Sequence, residues 1–237
     1  MRWTAKSNGL TRRHALAGLA AIGGGAVIAH RAFSTAGKRP SGMLPGNACV
    51  LTPEAVEGPF YFDPKLVRGD ITEGKPGAPL RLTRQLVEAR DCAKLGRARV
   101  DVWHADGLGA YSGYARQETG STRGQTFLRG TQFTGEDGQA SFATIYPGWY
   151  PGRAPHIHFK AFLDAGSVLT GQLYFPDGIS DGVYAKAAPY RERKETRDTT
   201  NESDFIFKGE NGAATLCSIT EKNGAYAASL VIGVDRA

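Results

Sequence analysis

The sequence predicts an all-β protein, an antiparallel β-sandwich with long loops and at most short helices. Three observations carry that expectation. The 237 residues include 31 glycines and 12 prolines, about 18% of the chain against an average near 12%, which is hard to fit into long helices. From residue 80 onward apolar and polar residues largely alternate with period two, the pattern of half-buried strands. The runs are short and separated by Gly/Pro turns, as in a sandwich rather than in alternating strands and helices. Hydrophobic residues at 41% and charged residues at 22% are ordinary for a globular chain and exclude a disordered, collagen-like or coiled-coil protein.

Residues 1–36 hold Arg2, Lys6, Arg12, Arg13 and Arg31, five of the 29 basic residues, and none of the 23 acidic ones. Thr11-Arg12-Arg13 precedes an apolar run from Ala15 to Ala29. At ~1.5 Å rise per residue that run falls short of the ~20 residues needed to cross a bilayer. The segment therefore reads as a cleaved export signal of twin-arginine type, with cleavage after Ala36, and no stable membrane insertion is expected once it is removed. Ala15 stands where a bulky apolar residue often follows the arginine pair, and a retained membrane-tethering N-terminus is the alternative. Without this segment the chain is nearly neutral, so the net charge of +6 is not a nucleic-acid footprint. Residues 37–48 read as a flexible lead-in, and residues 49–237 as the domain.

The strand candidates follow in order: Leu80–Thr83, Ala98–Trp103, Phe127–Thr134, Gln139–Ile145, His156–Phe162, Leu169–Phe175, Thr215–Ile219 and Ala227–Val234. Asp137-Gly138 between the third and fourth is a hairpin signal. A short helix fits Ile179–Ala188. Cys49, Cys92 and Cys217 are too few for a disulfide scaffold and are not spaced as a zinc knuckle. An exported chain permits one bridge, Cys49 to Cys92, each just ahead of a structured segment. Three buried thiols are the alternative. There is no internal repeat and no second-domain linker.

The chemistry concentrates in residues 147–159, PGWYPGRAPHIHF. Side chains two apart on a strand share a face, so His156 and His158 present two imidazoles together, as a metal-ligand pair or as two hydrogen-bonded histidines. Tyr150 lies six residues before His156 on a turn stiffened by Pro147, Gly148, Pro151 and Gly152, with Arg153 between. Tyr111 lies in the loop ADGLGAYSGY that follows the strand ending near His104. No Gly-rich phosphate motif is present, so no organic cofactor is implied.

Five segments, TPEAVEGPFYF (52–62), RGDITEGKPGAPLRL (68–82), DVWHADGLGAYSGY (101–114), TIYPGWYPGRAPHIHF (144–159) and LTGQLYFP (169–176), resemble intradiol ring-cleavage dioxygenases, in the same order, over most of residues 49–207. The resemblance implies a β-sandwich holding one non-haem Fe(III) per chain through Tyr111, Tyr150, His156 and His158. Phenolate is a hard anionic donor that favours ferric iron and imidazole suits iron, so the donor set agrees. It also implies that Arg153 stabilises charge developing on the ring, that Gln172 lines the pocket, and that Gly58, Pro59 and Tyr61 of the GPFY turn approach the substrate. His104 matches no ligand and reads as a core histidine. The implied reaction takes an ortho-dihydroxybenzene and O2 to a cis,cis-muconate-type diacid, with Tyr150 released when the substrate binds.

Two departures stand out. Relatives usually read Arg-Pro-Ala before the histidines, whereas this chain reads Arg153-Ala154-Pro155. The long helical N-terminal segment of the catechol branch is missing, which makes the chain more like the compact protocatechuate-dioxygenase-like branch with its exported members. The ring substituents and a homo-oligomeric state stay open. Competing readings are a zinc- or copper-binding sandwich module without oxidative chemistry, and a metal-free, carbohydrate-contacting sandwich using Tyr146 and Trp149.

Overall fold

The computed structural model describes residues 50–163 and 168–235. The export segment, the lead-in and Cys49 lie outside the described residues. Among the described residues eight strands form, β1 (Pro79–Glu88), β2 (Arg99–Trp103), β3 (Arg129–Phe133), β4 (Gln139–Ile145), β5 (His156–Phe162), β6 (Val168–Tyr174), β7 (Ser218–Lys222) and β8 (Ala225–Val234), with helices α1 (Asp177–Lys186) and α2 (Phe205–Gly209). They make two four-stranded sheets, ordered β4-β1-β8-β7 and β3-β2-β5-β6. The result is the expected all-β sandwich, and α1 takes the place of the expected short helix.

Three details differ from the sequence-based expectation. First, β1 and β8 pair in parallel, from Leu80 opposite Tyr226 to Glu88 opposite Val234. The Asn223-Gly224 turn, with φ of 54° and 77°, makes β8 antiparallel to β7. β8 then lies beside β1, whose other edge is taken by β4. Second, the Asp137-Gly138 turn forms, Gly138 N–H donating to Gly135 O at 2.8 Å, but it joins strands of different sheets. β4 leaves it to pair with β1, and β3 pairs with β2, so no β3–β4 hairpin extends from it. Third, the strand expected at Thr215–Ile219 starts at Ser218, because Gly212–Thr215 closes into a 3-10 turn.

Alternation sorts each strand of the second sheet into two faces. Val100 and Val102 of β2 and Ile157, Phe159 and Ala161 of β5 point between the sheets, where they meet Leu80, Leu82 and Leu86 of β1 and Leu230 and Ile232 of β8. These side chains are all but fully buried, each of them except the small Ala161 stabilising the fold by ~1.5–3 kcal/mol relative to exposure. The residues between them, Asp101, Trp103, His156 and His158, face away from the core. They are nevertheless buried, because the segment preceding β1 and the loop after β2 cover that face.

Cys92 is disulfide-bonded, whereas Cys217 is a free, buried thiol. Among the described residues no helix is long and apolar enough to cross a membrane.

His104 is a core residue. Its Nδ1 lies 2.8 Å from Ala105 O and its Nε2 2.7 Å from the Thr144 hydroxyl. Burial pushes its pKa down to about 4. The unfolded chain therefore binds this proton near pH 6.5 and the folded chain only near 4, so stability is lost as pH falls between those values. The contribution is on the order of 3 kcal/mol. Denaturant midpoints at pH 7 and pH 4 should separate more for the wild type than for His104→Gln, and equal separations would refute the assignment.

Candidate active site

The outward face of the second sheet sets the site. Register places Arg129, Trp103, His158 and Gln172 in one row across β3, β2, β5 and β6, with Tyr174 opposite His156 in the next. His158 stacks on Trp103, centroids 4.9 Å apart and planes 8° apart, which fixes its ring. The His156 ring is fixed differently, its Nδ1 lying 2.7 Å from Ala154 O. Since a carbonyl can only accept, Nδ1 carries the proton and Nε2 keeps its lone pair free.

The two tyrosines arrive on loops. Tyr150 begins a turn in which Pro151 and Gly152 (φ +76°) take the central positions, the type II pattern, and Arg153 N–H closes it onto Tyr150 O at 3.3 Å. Tyr111 is held by its backbone. Gln117 accepts from its N–H at 2.7 Å and donates to its carbonyl at 2.7 Å, and the Thr122 hydroxyl donates to the same carbonyl at 2.6 Å. Gly109, two residues earlier, has φ +90° and passes so close to Trp149 O that a Cβ would stand 2.5 Å from it. Only glycine fits there.

Four donor atoms converge. His156 Nε2 lies 3.0 Å from Tyr150 Oη, 3.4 Å from Tyr111 Oη and 3.1 Å from His158 Nε2, and the two phenol oxygens are 3.5 Å apart. Donors bonded at ~2.0–2.1 Å to one metal ion stand roughly 3 Å from one another, so these spacings fit a shared ion. Among the described residues no group of three or more His, Cys, Asp or Glu could hold a metal. A metal at this site therefore needs the phenols.

The electrostatics suit such an ion. Burial, reinforced by the Arg153 guanidinium, holds His156 well below the usual imidazole range, and burial with His156 beside it does the same to His158. Both imidazoles are thus neutral donors at neutral pH. Burial raises both phenols, while Arg153 pulls against that rise at Tyr150. They keep their protons until a cation displaces them.

Arg153 joins the cluster without being able to ligate. Its Nη1 is 3.5 Å from both Tyr150 Oη and His156 Nε2. Its Nη2 donates to Gln172 Oε1 at 2.5 Å and to Tyr174 Oη at 3.0 Å, and its Nε donates to Asp204 at 3.0 Å. Asp204 is fully buried and also accepts from Ala154 N–H at 2.8 Å and from Ile206 and Phe207 N–H as the N-cap of α2. Gln172 Nε2 donates to Val56 O at 2.9 Å, so its amide bridges Arg153 to the covering segment.

A cavity of about 290 Å³ opens beside the two phenols, lined by Phe60, Leu108, Pro151 and others, close to the lower end for small-molecule sites. Within the GPFY turn Phe60 is the residue lining it, stacked on Tyr111 at 4.3 Å. Gly58 (φ +71°) lies against His158, where a Cβ would stand 3.5 Å from Cε1. Pro59 is exposed. Tyr61 donates its hydroxyl to Asp101 at 2.9 Å and packs on Trp103. Sequence reasoning singled out the Gly58-Pro59-Phe60-Tyr61 turn without selecting Phe60 as its lining residue, and it missed Trp103 and Asp204. An acidic residue just ahead of the apolar Phe205-Ile206-Phe207 was the available cap signal for Asp204.

The family model described as Dioxygenase matches residues 56–188. An intradiol ring-cleavage dioxygenase from Tetranychus urticae is 33% identical, with a TM-score of 0.72 over 79% of this chain and 95% of its own. The chain belongs to the intradiol ring-cleavage dioxygenase family. The dioxygenase domain of a dioxygenase carbohydrate-binding protein fusion from Streptomyces sp. SirexAA-E is 30% identical, with a TM-score of 0.60 over 79% of this chain and 100% of that one. Chlorocatechol 1,2-dioxygenase of Cupriavidus pinatubonensis is 28% identical over 148 residues, 52% of this chain and 54% of that protein. The chain thus spans about half the length of that curated relative. Within this family, the converging phenols and imidazoles lie inside the matched segment.

Proposed function

We propose that this protein is a non-haem Fe(III) dioxygenase that opens the ring of a catechol-type aromatic between its two hydroxylated carbons. Both atoms of O2 enter the product, a cis,cis-muconate-type diacid. The observation that carries the reading is the convergence of Tyr111, Tyr150, His156 and His158 donors at 3.0–3.5 Å beside a ring-sized cavity. Two phenolates and two neutral imidazoles would hold ferric iron. That ion supplies Lewis acidity and a template for the reactants.

The chain's own residues do the rest. Phe60, Leu108 and Pro151 give the ring an apolar slot. Tyr150 sits on a turn at the cavity edge, and its Oη is the atom that accepts a proton from one substrate hydroxyl as it gives way. Arg153 Nη1, 3.5 Å from that oxygen, steadies negative charge that develops on the ring carbon. Gln172, Tyr174 and Asp204 hold the guanidinium in that pose. Export through a twin-arginine route is part of the same proposal, supported by the basic and then apolar order of residues 12–29.

The test is oxygen uptake by the purified protein against a panel of catechols, with iron content and product spectra. One equivalent of O2 per diol, one iron per chain and a red to burgundy tyrosinate-to-iron colour are expected. A colourless zinc protein that consumes no oxygen would replace this reading with a metal-binding module.

A further inference from the structure

The row of side chains that ends on Gln172 of β6 begins on Arg129, the first residue of β3. Arg129 is 1% exposed and takes no part in the chemistry proposed for the donor cluster. Its Nε donates to Ser112 Oγ at 2.8 Å and its Nη2 to Ser112 O at 2.9 Å, a two-point grip on the residue next to Tyr111. The guanidinium carbon lies 4.2 Å from the Phe62 ring centroid. Resting on the proposed ferric site, we infer that Arg129 is a positioning residue for it. The arginine joins the loop that bears Tyr111 to the segment that covers the sheet, and so holds the Tyr111 phenol in register with the other three donors.

Both ends of this joint reach Tyr111. On the loop side, Ser112 is fully buried and its hydroxyl donates onward to Phe127 O at 2.7 Å. Gly113 follows with φ +90° and passes so close to Phe62 that a Cβ there would collide with the ring. On the covering side, Phe62 is two residues from Phe60, which stacks on Tyr111 at 4.3 Å. Tyr114 closes the circuit. Its ring meets Phe60 edge-on at 5.0 Å and its hydroxyl donates to Tyr61 O at 3.3 Å, with the Arg129 guanidinium 5.8 Å from its ring centroid.

Packing alone does not explain an arginine in this corner. Its Nη1 has no hydrogen-bond partner among the described residues. The acidic groups acting on its charge are the phenols of Tyr114, Tyr111 and Tyr61. Burial pushes its pKa down to about 10, so it is still charged at neutral pH. A cation buried without a carboxylate costs stability, and an apolar side chain of similar volume would fill the space at least as well. What such a side chain lacks is the rigid fork that takes Ser112 O and Oγ together, and the flat face that lies on Phe62. Lysine, a point charge on a flexible stem, lacks both as well.

The experiment compares the wild type with Arg129→Met, Arg129→Lys and Phe62→Leu. Hydrogen exchange is followed by mass spectrometry with and without added Fe(III). In Arg129→Met the amides of residues 58–62 and 111–114 should exchange together at least about tenfold faster than in the wild type, while those of β1 and β8 do not change. Phe62→Leu keeps the arginine but removes its flat partner, and it should speed exchange at 111–114 as well. Iron affinity should fall about 10–100-fold in Arg129→Met, the scale of losing a group that orients a ligand. With the site filled by excess iron, the tyrosinate-to-iron band should shift, because its energy follows the geometry of the iron–phenolate bond. Arg129→Lys should behave as Arg129→Met does.

An unshifted band at full iron loading in Arg129→Met would overturn the inference, whatever that variant's stability, while the ferric reading stands. Recovery of band and affinity in Arg129→Lys would overturn it too, since charge and not the grip would then matter. If Arg129→Met does not fold, Phe62→Leu decides by the same two readouts, and exchange that rises at 58–62 alone would mean that no joint exists. If the wild type binds no iron and consumes no oxygen with any diol, the ferric reading fails. Coupled exchange of the two segments would then still show the joint, holding an aromatic core in place of a metal site.

Discussion

On the proposed ferric site, replacing His158 with alanine should leave a colourless protein that takes up no measurable oxygen with catechols, a turnover loss of at least about 10³-fold, because several kcal/mol of Lewis-acid stabilisation would leave with the metal. The geometry explains why one side chain has this reach. His158 Nε2 lies 3.1 Å from His156 Nε2, and its ring is clamped by Trp103 on one side and faced by the Gly58 turn on the other. Alanine removes a neutral donor and empties a slot among rigid aromatic groups. Among the described residues no group of three or more His, Cys, Asp or Glu stands ready to hold the ion instead. Unchanged circular dichroism with iron below about a tenth of the wild-type content is the expected pair of results. Full iron and full colour in this variant would mean that the cluster is a hydrogen-bonded aromatic core and that any metal binds elsewhere.

How much of this was legible in the sequence follows from the range of each interaction. Alternation along β2, β5 and β8 depends on neighbours two residues apart, so the strands could be read directly. Which strands pair depends on partners far away in sequence. The β3–β4 hairpin therefore failed although its Asp137-Gly138 turn formed, and the parallel β1–β8 pair left no local trace. Asn223-Gly224 was as good a hairpin signal as Asp137-Gly138 and marked the true β7–β8 turn. At the site, His156 and His158 were readable because strand period two puts them on one face. Tyr111 and Tyr150 gained meaning only within their motifs, since a loop tyrosine carries no periodic signal. Phe60 and Trp103 act by stacking, which composition does not encode. Asp204 lies 51 residues from Arg153, beyond any local pattern.

Arg153→Met should keep most of the iron and the resting colour while slowing turnover by ~10²-fold, the scale of losing one preorganised electrostatic contact. Methionine fills similar volume but offers nothing to Tyr150 Oη, Gln172 or Tyr174, which lie within 2.5–3.5 Å of the two terminal guanidinium nitrogens. It also leaves the Asp204 carboxylate buried without its cation, which costs about 3 kcal/mol of stability. Melting temperature and turnover should therefore fall together, whereas iron content should not. The unusual Arg153-Ala154-Pro155 order gives a sharper check. Ala154 has a backbone N–H, and it donates to the same Asp204 oxygen that receives Arg153 Nε, at 2.8 Å and 3.0 Å. Proline at position 154 would have no N–H to give. Ala154→Pro should then loosen Asp204 and lower turnover by less than Arg153→Met does, with iron and colour retained. Combined with Arg153→Met it should add little, because both act through one carboxylate and one guanidinium. Wild-type turnover in Arg153→Met would reduce the arginine to a structural partner of Asp204. Loss of iron in that variant would instead mean that the guanidinium holds Tyr150 and His156 in place for the metal rather than acting on the ring.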